Sequence, residues 1–273
     1  MPFYHQVGEI PHKRHTQFRK PDGGLYREEV MGLEGFHGIQ SILYHHFLPP
    51  RVVKTELLGA AKPKFVDFGA LRHRAFATKD VPKGGDPVAA RRVLLGNNDV
   101  TLGVSHSTDK MTYFYRNAQA YEVWFVHEGH GTLYTQFGEL AFEPGDYMVI
   151  PFGTTWQLQP DGEARFFVIE APSQIEPPKR YRNEYGQLLE HAPFCERDFR
   201  VPNNLVTHTE KGEFEVRVKV RDSITQHTLD HHPHDVVGWD GYLYPWIFNV
   251  RDFEPITGRI HQPPPVHQTF EGW

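Results

Sequence analysis

An all-β fold is what this sequence predicts, and three observations predict it. Between residues 117 and 159 apolar and aromatic residues come in short bursts, at 121–126, 133–137, 140–142 and 147–150, each followed by a break that contains glycine or proline. Residues 212–220, Gly-Glu-Phe-Glu-Val-Arg-Val-Lys-Val, alternate strictly with the period of two that one buried sheet face imposes. No stretch of roughly 15 residues carries the apolar period of about 3.6 that a packed helix requires.

In chain order, residues 1–55 mix glycine turns with charged runs. His12, Lys13, Arg14 and His15, then Arg19 and Lys20, precede the turn Pro21-Asp22-Gly23-Gly24 and a strand expected over 25–30. The basic run reads as a charged edge that discourages aggregation, with an anion site or a subunit-contacting arm as the other readings. Segments 31–38 and 39–47 follow and end in adjacent His45 and His46. Neighbours on a strand face opposite ways, so these two cannot readily meet one metal, and a structural role is expected. From 51 to 110 apolar bursts at Val52-Val53, Leu57-Leu58 and 93–95 lie between loops rich in Pro and Gly, notably Lys62-Pro63-Lys64 and 81–87. Asn97-Asn98-Asp99 is a turn into a further strand that feeds the meander.

Within the meander, Val, Tyr, Phe and Trp suit a pleated, half-buried surface, while 128–131, Gly138 and 143–146 supply the positive φ and proline positions of tight turns. Residues 164–171, ARFFVIEA, close the barrel as a buried strand, and 173–182 lead away from it. In 212–220 the inner face is Phe214, Val216, Val218 and Val220, and the outer face is charged. Next comes the densest histidine group, His227, His231, His232 and His234. Pro233 interrupts it and Asp230 and Asp235 are its nearest carboxylates, so a solvated loop is expected and an improvised iron site is the alternative. His127 and His130 are expected at the surface.

Composition narrows the function classes. With 273 residues the chain can bury a large core, and a net charge of −5 with a pI near 6.4 argues against nucleic acid as a partner. One cysteine, Cys195, cannot form an internal disulfide, so a reducing compartment is expected and a structural thiol is the reading for Cys195 itself. The first residues lack the apolar core of a signal peptide, and no window approaches the ~18 apolar residues of a spanning helix. The expectation is a cytoplasmic protein without a membrane partner.

The meander resembles a cupin, a double-stranded β-helix or jelly roll. Gly145, Pro151 and Gly153 keep the spacing of the second cupin motif, and Glu122 and Gly129 fit the first. Trp156 stands where the second motif has its metal-binding His, and Asn117 and Gln119 stand where the first has His-x-His. An indole has no lone pair to donate and amides are poor ligands for transition metals, so the barrel, placed at about 115–175, is expected to be metal-free.

The segments that flank the barrel resemble the homogentisate 1,2-dioxygenase family. They are the opening 8–18, GEIPHKRHTQF, then 235–241, DVVGWDG, then Tyr244-Pro245, Phe248-Asn249, Asp252-Phe253 and finally 261–273, HQPPPVHQTFEGW. The resemblance implies an Fe(II) enzyme that uses O₂ to open the ring of homogentisate, giving maleylacetoacetate in tyrosine and phenylalanine degradation. Its partners would be a small aromatic substrate, O₂ and further copies of itself, as trimer or hexamer. The iron would be held by two histidines and a glutamate, the first His and the Glu six positions apart. None of the 18 histidines here has Glu six positions later. The resemblance therefore implies a chain cut off before its metal site, which by itself binds no iron tightly. Residues 1–250 would form the N-terminal β domain and 251–273 the start of the catalytic domain. His267 matches the family's proton acceptor near the substrate hydroxyl, a role that imidazole suits because its pKa lies close to neutral. The rival expectation is a catalytically inactive cupin-type binding or assembly module.

Overall fold

The computed structural model describes residues 3–14, 16–49, 51–66, 69–70, 72–255 and 267–272. The strands up to the barrel are β1 (His5–Gly8), β2 (Arg27–Glu34), β3 (His37–His45), β4 (Val52–Ala60) and β5 (Arg91–Gly96). The barrel is built from β6 (Thr101–Ser107), β7 (Phe114–Asn117), β8 (Tyr121–Glu128), β9 (Gly131–Thr135), β10 (Gly138–Phe142), β11 (Asp146–Ile150), β12 (Thr155–Pro160) and β13 (Ala164–Ala171). After it come β14 (Ile175–Glu176), β15 (Phe199–Arg200), β16 (Lys211–Val220), β17 (Ser223–His231), β18 (Val236–Gly241), β19 (Trp246–Asn249) and β20 (Glu271–Gly272). Helix is limited to single 3₁₀ turns among the described residues. None of these is long and apolar enough to cross a membrane.

Two seven-stranded sheets carry the fold, one in the order β10-β9-β12-β7-β16-β17-β4 and the other in the order β15-β19-β11-β8-β13-β6-β5. The eight strands from β6 to β13 contribute β6-β13-β8-β11 to one sheet and β7-β12-β9-β10 to the other. That interleaving is a jelly roll, the fold class expected of the sequence. It begins at Thr101, earlier than the expected 115, because β6 pairs with β13 and carries the sheet outward to β5. Between the sheets lies an aromatic core of Tyr115, Trp124, Trp156 and Phe166 with Leu133, Leu158 and Ile247. Trp124 meets Trp156 and Phe166 edge to face at 5.7 and 5.5 Å, the arrangement that the ring quadrupoles favour. Side chains thus fill the barrel.

The second core lies outside the barrel, around Trp239, Tyr244, Trp246 and Phe248. It packs beneath the four-stranded sheet β1-β18-β3-β2. In that sheet β1 lies against β18, Val7 opposite Trp239 and Gly8 opposite Gly238. Only glycine fits there: a Cβ on Gly238 would lie 2.0 Å from the Glu9 carbonyl oxygen, and Gly8 has φ +74°. At the far end of the chain Phe270 packs on Tyr147 and Trp246, and β20 pairs with β14.

Candidate functional site

The place of the first cupin motif is held by a buried ion cluster. On β8 the inward phase runs Glu122, Trp124, Val126, so a carboxylate enters a face that is otherwise apolar. Its Oε1 accepts from both terminal nitrogens of Arg91, each at 3.0 Å, and from Asn117 Nδ2 at 3.0 Å. Its Oε2 accepts from the Trp124 indole at 3.0 Å. Arg91 reaches on to Glu170 at 3.2 Å, and Lys219 Nζ binds both Glu170 oxygens at 2.5 and 2.7 Å. The guanidinium also lies 4.7 Å from the Trp124 ring. Burial raises the Glu122 pKa, but the Arg91 charge and the hydrogen bonds outweigh it and hold the group below its ordinary value.

This donor set does not fit a metal. Glu122 is the one carboxylate at the motif, and a fixed cation already faces it. Asn117 and Gln119, in the His positions, serve the chain instead: Asn117 Oδ1 caps the turn by accepting the Gln119 and Ala120 amides, and Gln119 accepts the Arg221 amide. Trp156 is 1% exposed and packs on Tyr115 at 5.1 Å. Among the described residues no group of three His, Cys, Asp or Glu is placed to hold a metal ion.

The histidine run of 227–234 is divided by the strand it ends. His231 goes to one side, where its ring lies 4.6 Å from Phe47 and its Nδ1 2.9 Å from Asp230. His232 and His234 go to the other, into an open cavity of about 470 Å³ lined also by Met111, Phe114, Gln157 and His208. There His208 stacks on His232 with centroids 3.9 Å apart, and His208 Nδ1 lies 3.1 Å from Glu210. His232 Nδ1 accepts the His234 amide, and His234 Nε2 lies 3.1 Å from the Thr155 carbonyl oxygen. Burial, reinforced by the neighbouring His208, pulls His232 down to about 4, and burial drops His234 well below its ordinary value. Both rings are neutral at pH 7. The expected solvated loop is therefore half wrong: the run starts in β17 and its last two rings line a cavity.

A second ion cluster escaped the sequence reading. His45, on β3, places Nδ1 2.7 Å from Asp235 and Nε2 3.1 Å from Glu29 on β2. Burial alone would lower its pKa, yet the two carboxylates raise it to about 9, so the ring is a cation at neutral pH. Asp235 also accepts the Phe47 amide at 2.7 Å. His46 points the other way and packs edge-on to Tyr26. The basic run contributes Arg14, which binds Asp240 at 2.9 Å beside the Tyr4 hydroxyl at 3.0 Å. His15 and residues 261–266 and 273 lie outside the described residues. His267 is exposed, with its ring 5.9 Å from Phe253. His130 is exposed near Asp161, and Cys195 is a free thiol.

Arg91 could have been suspected from sequence, since a Glu in phase with Trp124 and Val126 needs a cationic partner when it is buried. Which cation could not be read, because 31 positions separate Arg91 from Glu122.

Comparison with known proteins places these features. Residues 94–250 match the family described as homogentisate 1,2-dioxygenase N-terminal. A Saccharolobus solfataricus protein with a provisional dioxygenase name is 44% identical over 99% of this chain and 70% of its own length. The homogentisate 1,2-dioxygenase of Bradyrhizobium diazoefficiens is 31% identical over 56% of this chain, which spans 34% of that protein. Among solved structures, a double-stranded β-helix protein of Klebsiella pneumoniae overlaps 37% of this chain and 91% of its own at 20% identity and TM-score 0.32. A cupin-2 domain protein of Shewanella frigidimarina overlaps 30% of this chain and 78% of its own at 22% identity and TM-score 0.28. With more than half its length matched, and a relative this similar from end to end, the chain belongs to the homogentisate 1,2-dioxygenase family through that family's N-terminal part.

Proposed function

We propose that this chain is the scaffold part of an Fe(II) dioxygenase that opens an aromatic ring with O₂, homogentisate to maleylacetoacetate, and that its own jelly roll carries no metal. What supports the first half is the match of residues 94–250 to the family's N-terminal part, together with a dioxygenase-named relative that is similar over 99% of the chain. What supports the second is the Arg91 guanidinium seated on Glu122 at the motif position. Residues 1–250 then act as the N-terminal domain, and 251–273 lead into the catalytic one. His267 takes the proton of a substrate hydroxyl, a role consistent with an imidazole on an exposed stretch beside Phe253. The same Arg91–Glu122 pair favours the second reading, a cupin-type module that binds or assembles without redox chemistry.

Metal analysis after anaerobic Fe(II) loading decides between them. The 273 residues alone should retain no stoichiometric iron and release no ring-opened product. A form that also carries the further sequence seen in the Saccharolobus relative should do both, and in that form His267→Gln should lower kcat by about 10²-fold or more. Stoichiometric iron with ring cleavage by the 273 residues would refute the scaffold reading. Inactivity of the longer form would leave the module.

A further inference from the structure

Strand β4 is nine residues long and every one of them is exposed. It pairs with β17 and forms the end of its seven-stranded sheet, so among the described residues no strand covers its outer backbone groups. The side chains do not blunt that edge: Leu57 is 73% exposed and Val53 55%. A long apolar edge of this kind is a template for another strand.

The order of residues on it says which strand. Positions 52–58 read Val-Val-Lys-Thr-Glu-Leu-Leu, a sequence symmetric in chemical character about Thr55. Laid antiparallel on a second copy of itself with Thr55 opposite Thr55, the strand sets Lys54 against the second copy's Glu56 and Glu56 against its Lys54. On the other face Thr55 meets Thr55, and Leu57 runs out toward the end of the second copy's strand, where that strand's register with β17 breaks at Val53. A slip of two residues in either direction would oppose Lys54 to Lys54 or Glu56 to Glu56, and like charges directly opposite one another are destabilising. One register is therefore preferred. The pairing with β17 is regular from Lys54 to Leu57 and breaks outside that segment, so the central four residues present an unkinked edge. In the single chain Lys54 and Glu56 already lie on one face, 2.8 Å apart.

We propose that β4 is a two-fold interface between copies of this chain, which joins the two seven-stranded sheets across their β4 edges. The contact is isologous, as cyclic dimers require, and it does not depend on the reaction assigned above. Covalent trapping locates it. Directly opposed residues in an antiparallel pair have Cα atoms about 4.5–5.5 Å apart, within the reach of a disulfide. In a Cys195→Ser background, Thr55→Cys should cross-link under mild oxidation into a covalent dimer, and Leu57→Cys should not.

Sedimentation velocity on uncross-linked protein supplies the second readout. Lys54→Glu alone, or Glu56→Lys alone, should weaken self-association by about tenfold, since each turns two attractions into two repulsions. The double exchange Lys54→Glu with Glu56→Lys should restore it. These positions are exposed, and circular dichroism checks that each variant is folded. A monomer at tens of micromolar, association without the Thr55 cross-link, or a double exchange as weak as the single ones would each overturn the proposal.

Discussion

Among the buried clusters of charge in this chain, two are built on different cations. In the barrel Arg91 faces Glu122 and Glu170, and a guanidinium keeps its proton at any pH a folded protein survives. Beneath the four-stranded sheet His45 faces Asp235 and Glu29, and an imidazole keeps its proton only because those carboxylates hold it there. The first cluster is a permanent fixture, which suits a motif position that a metal would otherwise organise. The second is conditional. It joins β2 and β3 to the segment that enters β18, so the condition applies to the part of the fold that carries the family's flanking segments.

Removing a cation should separate the two most sharply. Arg91→Met leaves Glu122 buried with the Asn117 and Trp124 donors but no counter-charge, and should cost about 3–5 kcal/mol in urea unfolding. Adding Glu122→Gln should recover about 1–2 kcal/mol of that loss, because the stranded charge goes with it. Loss of less than 1 kcal/mol in the single variant would mean that the guanidinium does not carry the motif site.

The His45 cluster should show its smaller effect as a pH dependence. Its pKa is about 9 in the folded chain against an ordinary 6.5, so the folded state binds the extra proton between those values. The cluster's contribution is complete below pH 6.5 and is lost as pH rises through about 9, on the order of 3 kcal/mol. At the acid end Glu29, which burial would raise but which His45 holds below its ordinary value, loses its share as pH falls into the carboxylate range. Urea midpoints at pH 6.5 and 9.5 should therefore differ for the natural chain and converge for His45→Gln. Equal slopes for the two proteins would dissociate His45 from the effect.

How much of this could be read in advance follows the same division. The meander from β8 to β13 was legible because its strands alternate and its turns carry Gly and Pro. Strand β6 was legible only at its start, from the turn at 97–99: it lies between β5 and β13, residues Gly103 to Ser107 are all buried, and no face is left to write an alternation that would show its extent. Strand β4 hid for another reason, since two breaks in its register with β17 spoil the period of two. Local spacing correctly set His45 and His46 on opposite faces. The charge partners did not show, because Asp235 lies 190 positions from His45 and nothing local marks the pair. The histidine run misled in a similar way, its members close in sequence but sent to two sides by the strand they end.

The smallest effect belongs to a surface pair that closes the same sheet. Arg14 reaches Asp240 at 2.9 Å, but its side chain is 48% exposed, so solvent screens most of the attraction. Asp240 is itself buried and retains the Tyr4 hydroxyl when the guanidinium is gone. Arg14→Ala should therefore cost less than about 1 kcal/mol, and less still in 0.5 M salt. Asp240→Ala should cost more than Arg14→Ala, because it strands Tyr4 and Arg14 together. A larger loss for Arg14 than for Asp240 would show that the basic run grips something other than this carboxylate, which is how an anion site or a subunit-contacting arm would reveal itself.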